Sequence, residues 1–176
     1  MLPFLIGAVC IAAIAAYTDL RWGLIPNALT LGGALAGALG HLAYSWQLAG
    51  WRAGLSALGA SLAGGVLCAL APAVLFARGG MGGGDVKLFA ALGVCCQPLL
   101  GIEAQLYAFV LAASFVPAQL LRQGRLHEVL GRAGHALLQP LLPRARRRTL
   151  PPAAAHWLRL GPAIFGGTLL ALLSRI

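Results

Sequence analysis

The chain has 176 residues, of which 60% are hydrophobic and 10% are charged, and its formal net charge is +9. A soluble domain of this length usually carries about 25% charged residues, so too few polar side chains remain to cover a core in water. This composition excludes an ordinary soluble domain. It predicts a single membrane-embedded domain over residues 1–176, folded as one helical bundle.

Apolar segments recur along the chain at about the length that a transmembrane helix needs, roughly 17 to 25 residues. We therefore expect an all-α, polytopic integral membrane protein with about six spans, the fourth of them short. The first span resembles a signal-peptide core, but no basic residue precedes it, which favours a retained helix. The predicted spans are Leu2–Thr18, Ala28–Trp46, Ala53–Ala77, Val86–Leu100, Ala104–Leu121 and Leu160–Ser174.

The basic residues are distributed unevenly between the two sides of this arrangement. Loops 19–27, 78–87 and 122–159 share one side and carry 11 of the 13 Lys and Arg residues. Because basic loops stay in the cytoplasm, we expect these three loops to be cytoplasmic and both chain termini to lie outside.

The third of these loops, about 122–159, differs from the other two. Over 122–142 apolar residues recur at helical spacing between charged ones, which predicts an interfacial amphipathic helix. A basic cluster of this kind favours anionic lipid headgroups over nucleic acid, with guidance of a substrate as an alternative. The cluster consists of Arg144, Arg146, Arg147 and Arg148.

Asp19 and Asp85 are the two aspartates of the chain, and each lies at the end of an apolar segment. A carboxylate beside hydrocarbon is costly and therefore suggests a function. Two structural alternatives remain open, since Asp85 suits the N-cap of a helix and Asp19 suits a loop residue paired with Arg21.

Both aspartates fall on the predicted cytoplasmic face, which favours a shared site. In a close pair of carboxyls one stays protonated while the other is ionised. The ionised member can take a proton from water while the neutral member donates a hydrogen bond to a scissile carbonyl. The pair is therefore a candidate site for aspartyl proteolysis.

Other chemistry has little support in the sequence. The glycine run 79–84 lacks the Gly-Lys-Ser/Thr order of a nucleotide-binding loop. The four cysteines have no Cys-x-x-Cys spacing, and the four histidines have no recognised ligand spacing. We expect no metal and no cofactor.

Two segments resemble the signature regions of the prepilin peptidases, which are membrane aspartyl proteases of the GxGD class. The first is Asp19-Leu20-Arg21 leading to Ile25-Pro26-Asn27, and the second is Gly82-Gly83-Gly84-Asp85-Val86-Lys87-Leu88. Residues 161–164 also resemble that family's final helix. The resemblance implies that Asp19 and Asp85 are catalytic. It implies supporting roles for Pro26, Asn27, Gly82, Gly83, Gly84 and Lys87.

The resemblance further implies an enzyme of the bacterial inner membrane that cleaves the leader peptide from prepilins or pseudopilins at the cytoplasmic face. Larger members carry paired Cys-x-x-Cys motifs and also methylate the new N-terminus. This chain lacks those motifs, so we expect a short, peptidase-only form like those of Flp or tight-adherence pili, with pilus or secretion assembly proteins as further partners. The alternatives are a small proton-coupled transporter and a non-enzymatic membrane assembly protein.

Overall fold

The structure is a computed structural model that describes residues 2–122 and 159–175, together with residues 124 and 131. Within these residues the chain forms helices and no strand, which confirms the all-α prediction. The predicted amphipathic helix and the basic cluster at 144–148 lie outside the described residues. The helices are α1 (Leu2–Trp22), α2 (Asn27–Ala49), α3 (Trp51–Ala77), α4 (Gly83–Arg122) and α5 (Gly161–Leu173).

Among the described residues, three helical segments are long and apolar enough to cross a membrane, namely α1, α3 and residues 83–115 of α4. The apolar helix α5 has only 13 residues. Large apolar side chains such as Leu35, Val66 and Val110 are more than 60% exposed on the outer faces of the bundle. Helices that are apolar on both faces are typical of a membrane protein, whereas the count of six spans stays a prediction.

Helices α3 and α4 approach each other through facing glycines. A Cβ added to Gly64 would overlap the carbonyl oxygen of Gly93, and a Cβ added to Gly93 would overlap that of Gly64. Gly167 of α5 lies equally close to the backbone of Ala108 on α4. Because lipid gives no hydrophobic drive for helices to associate, close backbone packing of this kind holds them together.

Helix α4 is interrupted at Gln97, whose φ of 62° is not helical. The sequence predicted two separate spans here, with the boundary at 101–103, and the interruption lies several residues earlier. Pro98 explains its position, since a proline disturbs the preceding turn and has no N–H to donate to the carbonyl of Val94. The Ser61 hydroxyl of α3 donates to that carbonyl instead, at 2.7 Å.

The same solution appears at a second proline. Pro72 lies inside α3, so the carbonyl of Cys68, four residues earlier, has no helical donor. The Gln105 side chain of α4 donates to it at 3.0 Å. His41 of α2 likewise lies 2.8 Å from the carbonyl of Cys95, beside the interruption of α4. In a bilayer each freed carbonyl needs a protein donor, so these buried polar side chains have structural roles.

We expect Gly64→Ala to lower the free energy of unfolding by about 1–3 kcal/mol, because its methyl group would overlap backbone that cannot rotate away. Gly59→Ala on the same helix is the matched control, since a Cβ there meets nothing within 4 Å. Thermal unfolding of both variants in the same detergent tests the expectation. Equal midpoints would contradict the close approach of α3 and α4.

Candidate active site

Asp19 lies in the last turn of α1, on the face that points into the bundle. The buried positions of this helix follow the helical period from Leu5 through Ala8, Ala12 and Ala15 to Asp19. The same periodicity that buries the apolar side chains therefore also directs the carboxyl inward. Only 7% of Asp19 is exposed.

The Asp19 carboxyl meets the start of α5. The N–H of Gly161, the first residue of that helix, donates to Asp19 Oδ2 at 2.9 Å. The charge of Arg159 acts on the same carboxyl, while the Arg159 guanidinium donates to the carbonyl of Leu20. Free N–H groups at a helix start are natural partners for an acid, which explains how this carboxyl is accommodated inside the bundle.

The ion pair of Asp19 with Arg21 that the sequence left open is not formed. Arg21 is exposed, and within the described residues the one pair at ion-pair distance is Glu103 with Arg175, at 2.7 Å. That pair joins α4 to the end of α5.

Asp85 lies in the first turn of α4 and is also 7% exposed. The helix begins at Gly83, so Asp85 is its third residue and lies inside the first turn, past the N-cap position. Its Oδ2 is beside Gly82, where an added Cβ would be 3.1 Å away. An acid at the third helical position can reach back to the N–H of the residue before the helix. Asp85 therefore has a local structural role that leaves a catalytic role open.

The structure brings the two aspartates to the same end of the bundle. The charge of Asp19 acts on Asp85, and both carboxyls are buried. Two carboxyls within electrostatic reach of each other do not both ionise readily, so such a pair can hold one proton between its two members. This arrangement can supply a base and an acid at once.

The predicted supporting residues join the two motif segments. Lys87 Nζ donates to Asn27 Oδ1 at 2.9 Å across 60 residues of sequence. Gly84 faces Ile25, whose Cβ would be 3.4 Å from an added Cβ. Pro26 takes the position before α2. The loop before α2 is thus packed against the start of α4, beside the aspartates.

The three glycines before Asp85 have different neighbours. Gly82 lies against the Asp85 carboxyl, and Gly83 faces the ring of Phe76, 3.4 Å from an added Cβ. A side chain at Gly82 would therefore press directly on the carboxyl. Gly82 is the one of the three glycines with a direct contact to the candidate pair.

Sequence reasoning missed Arg159 and Gly161 as site residues. The segment 161–164 was recognised only as similar to a family helix. Its one local signal was a glycine followed by Pro162 at a helix start, and nothing in that pattern indicates a partner 142 residues earlier. The close approach is visible only in the structure, where a Cβ on Gly161 would be 2.9 Å from both Cβ and Oδ2 of Asp19.

The fold is that of a helical membrane protein with two buried carboxyls at one end of its bundle. The model of the type IV leader peptidase family matches residues 6–117, which is more than half of the chain. The chain therefore belongs to the type IV leader peptidase family, as the two motif segments predicted. Searches of curated proteins and of solved structures gave no match. The family assignment makes the chain a membrane-associated peptidase of the leader-peptidase type.

The contact between Lys87 and Asn27 generates a double-mutant prediction. We expect Lys87→Met and Asn27→Leu each to slow leader removal about fivefold, through a loss of about 1 kcal/mol in positioning the two segments. The double variant should lose little more than either single variant, since one contact is removed in all three. Cleavage rates of the four proteins test this, and fully additive losses would contradict a direct role for the contact.

Proposed function

We propose that this chain is an aspartic endopeptidase that removes the leader peptide from prepilins or pseudopilins, with Asp19 and Asp85 as its catalytic pair. One observation carries the proposal. In a member of a leader peptidase family, two buried carboxyls from α1 and α4 lie within electrostatic reach at one end of an apolar bundle.

The chemistry follows from the shared proton. The ionised carboxyl takes a proton from a water molecule, and the resulting hydroxide attacks the scissile carbonyl carbon. The protonated carboxyl donates a hydrogen bond to the carbonyl oxygen as negative charge develops there. The intermediate then collapses as the C–N bond breaks, and the leaving amine takes a proton from the pair.

The substrate class suits the position of the pair. A prepilin is an apolar helix preceded by a polar leader, so it can lie in the bilayer with its cleavage site at the surface. The exposed apolar faces of this bundle can contact such a helix, while the aspartates lie at helix ends. A proton relay has less support, because intramembrane acids of a relay are expected at mid-membrane depth.

We further propose six spans in the bacterial inner membrane, counting residues 83–96 and 98–122 of α4 separately and α5 as the last. The bias of 11 among 13 basic residues supports a cytoplasmic site and external termini. In this layout residues 1–176 are one membrane-embedded peptidase domain. The loop 122–159 contacts anionic lipid through the basic cluster at 144–148.

The absence of Cys-x-x-Cys spacing among the four cysteines supports a peptidase without N-methyltransferase activity. By its resemblance to short, peptidase-only members, the chain would serve a Flp or tight-adherence pilus, together with pilus or secretion assembly proteins.

We expect the wild-type chain, co-expressed with a prepilin from the same genome, to remove the leader and leave an unmethylated N-terminus. Asp19→Asn and Asp85→Asn should each lower the rate about 10²–10⁴-fold, because asparagine keeps the shape but neither accepts nor supplies the catalytic proton. Mass spectrometry of the pilin N-terminus is the measurement, with membrane levels of each variant checked.

Arg52→Gln is the matched control, since it neutralises a charged side chain at the start of α3 that takes no part in the contacts around the aspartates. It should retain cleavage. Leader removal that survives both aspartate substitutions would overturn the proposed mechanism.

We expect kcat/KM to fall at both acidic and alkaline pH. At low pH both carboxyls are protonated and no base remains, whereas at high pH both are ionised and no acid remains. The profile is measured with purified enzyme in one detergent and a prepilin substrate. A value of kcat/KM that rises steadily across the whole pH range would be incompatible with one proton shared by the two carboxyls.

A further inference from the structure

The start of α5 is the part of the site that the family match does not include, since that match ends at residue 117. Gly161 N–H donates to Asp19 Oδ2 at 2.9 Å, in a buried contact. This bond holds one oxygen of the carboxyl in place and restricts rotation of the group, which leaves Oδ1 as the oxygen available to water or to the second carboxyl.

A glycine is required for this approach. A Cβ at residue 161 would be 2.9 Å from Asp19 Oδ2 and 3.0 Å from the Cα of Ala16. The second of these neighbours is backbone, so the two helices would have to separate. Any side chain at this position therefore lengthens the bond to Asp19.

Arg159 adds a second contact between the end of α1 and the segment that leads into α5. Its guanidinium donates to the carbonyl of Leu20, one of the last carbonyls of α1, and its charge acts on the neighbouring Asp19. Carbonyls at a helix end lack helical donors, so this contact fastens the end of α1 to the segment that leads into α5. Arg159 thus helps to hold Asp19 without forming an ion pair with it.

The other end of α5 is also fixed. Arg175 pairs with Glu103 of α4 at 2.7 Å, and the Ser174 hydroxyl donates to the same carboxylate at 3.2 Å. A 13-residue helix held at both ends has little freedom to slide along its axis. The position of the Gly161 N–H relative to α1 is therefore well determined.

We propose that Arg159 and Gly161 form a third element of the active site, which holds the Asp19 carboxyl in the orientation that catalysis needs. Both are positioning residues, because they act through Asp19. The inference rests on the proposed function, since it gives a role toward a carboxyl that is catalytic only if that function is right.

The test measures kcat and KM separately for purified wild-type and variant proteins on a prepilin substrate. Arg159→Gln should lower kcat about tenfold and leave KM within about twofold, since orientation in the transition state is lost while substrate binding is not. Arg159→Lys should recover most of that loss, because an ammonium group can also donate to the Leu20 carbonyl. Gly161→Ala should lower kcat about a hundredfold through misplacement of the carboxyl.

The pH profile separates positioning from a general loss of stability. Among the described residues, the charged groups that act on Asp19 are Asp85 from α4 and Arg159, while Arg21 and Lys87 are exposed and Lys87 is bonded to Asn27. Without the positive charge of Arg159, the ionised form of Asp19 is less stabilised, so the pair of carboxyls keeps its proton to higher pH. Arg159→Gln should therefore move the acidic limb of the profile to higher pH, and Arg159→Lys should leave it near the wild-type position.

Two controls isolate the effect. Gly7→Ala adds a methyl group to α1 where a Cβ meets nothing within 4 Å, and Arg52→Gln removes a charge at the start of α3. Both variants should have the kcat, the KM and the pH profile of the wild type. If Gly161→Ala fails to accumulate in membranes, the two Arg159 variants test the positioning role, because the Arg159 side chain is exposed and its replacement disturbs packing little.

The outcomes are distinct. Equal kcat for the wild type and Arg159→Gln would overturn the positioning role while leaving the peptidase intact. A raised KM with unchanged kcat would also overturn it, and would make Arg159 a substrate-binding residue. A wild type that cleaves no prepilin would overturn the proposed function and this inference together.

Discussion

A polar group inside this bundle has to find its partner within the protein, and the positions of the buried polar side chains follow from that constraint. Gln105 and Ser61 donate to the carbonyls that Pro72 and Pro98 leave free in α3 and α4. In the described part of the chain, no buried side-chain nitrogen or oxygen lacks a hydrogen-bond partner. The interruptions of the helices and the polar side chains beside them therefore depend on each other. Without the Ser61 or Gln105 side chain, a buried backbone carbonyl would have no hydrogen-bond donor.

The same constraint determines where buried carboxyls can lie. Within a regular helix the backbone N–H groups are already bonded, so unused donors are concentrated in the first turn. Asp85 belongs to the first turn of α4, and Asp19 accepts from the first residue of α5. A carboxyl pair held in this way has to lie at an end of the bundle. In the middle of the bundle the buried polar side chains such as Ser61 and Gln105 are already bonded to backbone carbonyls.

The all-α class and the two motif segments that lie within the family match were predictable because their signals are local. Apolar runs, glycines before Asp85 and the order of residues around Asp19 are all read within short windows of sequence. The interruption at Gln97 was placed too late, since the apolar run continues through Pro98 and hides the break. Arg159 and Gly161 were missed for a different reason. Their partner is on α1, and no local pattern records which helix start packs against which helix end.

Two of the cations near the aspartates donate hydrogen bonds to neutral acceptors. Lys87 donates to the Asn27 amide and Arg159 to the Leu20 carbonyl. Glu103 of α4, by contrast, forms a direct ion pair with Arg175 beyond the end of α5. A carboxylate in a direct ion pair is held in its charged form and gives up that partner only at a cost, so it is a poor participant in proton transfer. Both cations still order the surrounding backbone, and the charge of Arg159 still acts on Asp19. Within the described residues, Asp19 and Asp85 are thus held beside ordered backbone without a direct ion pair, and such a carboxyl pair meets the requirement of the proposed mechanism that its members can exchange protons.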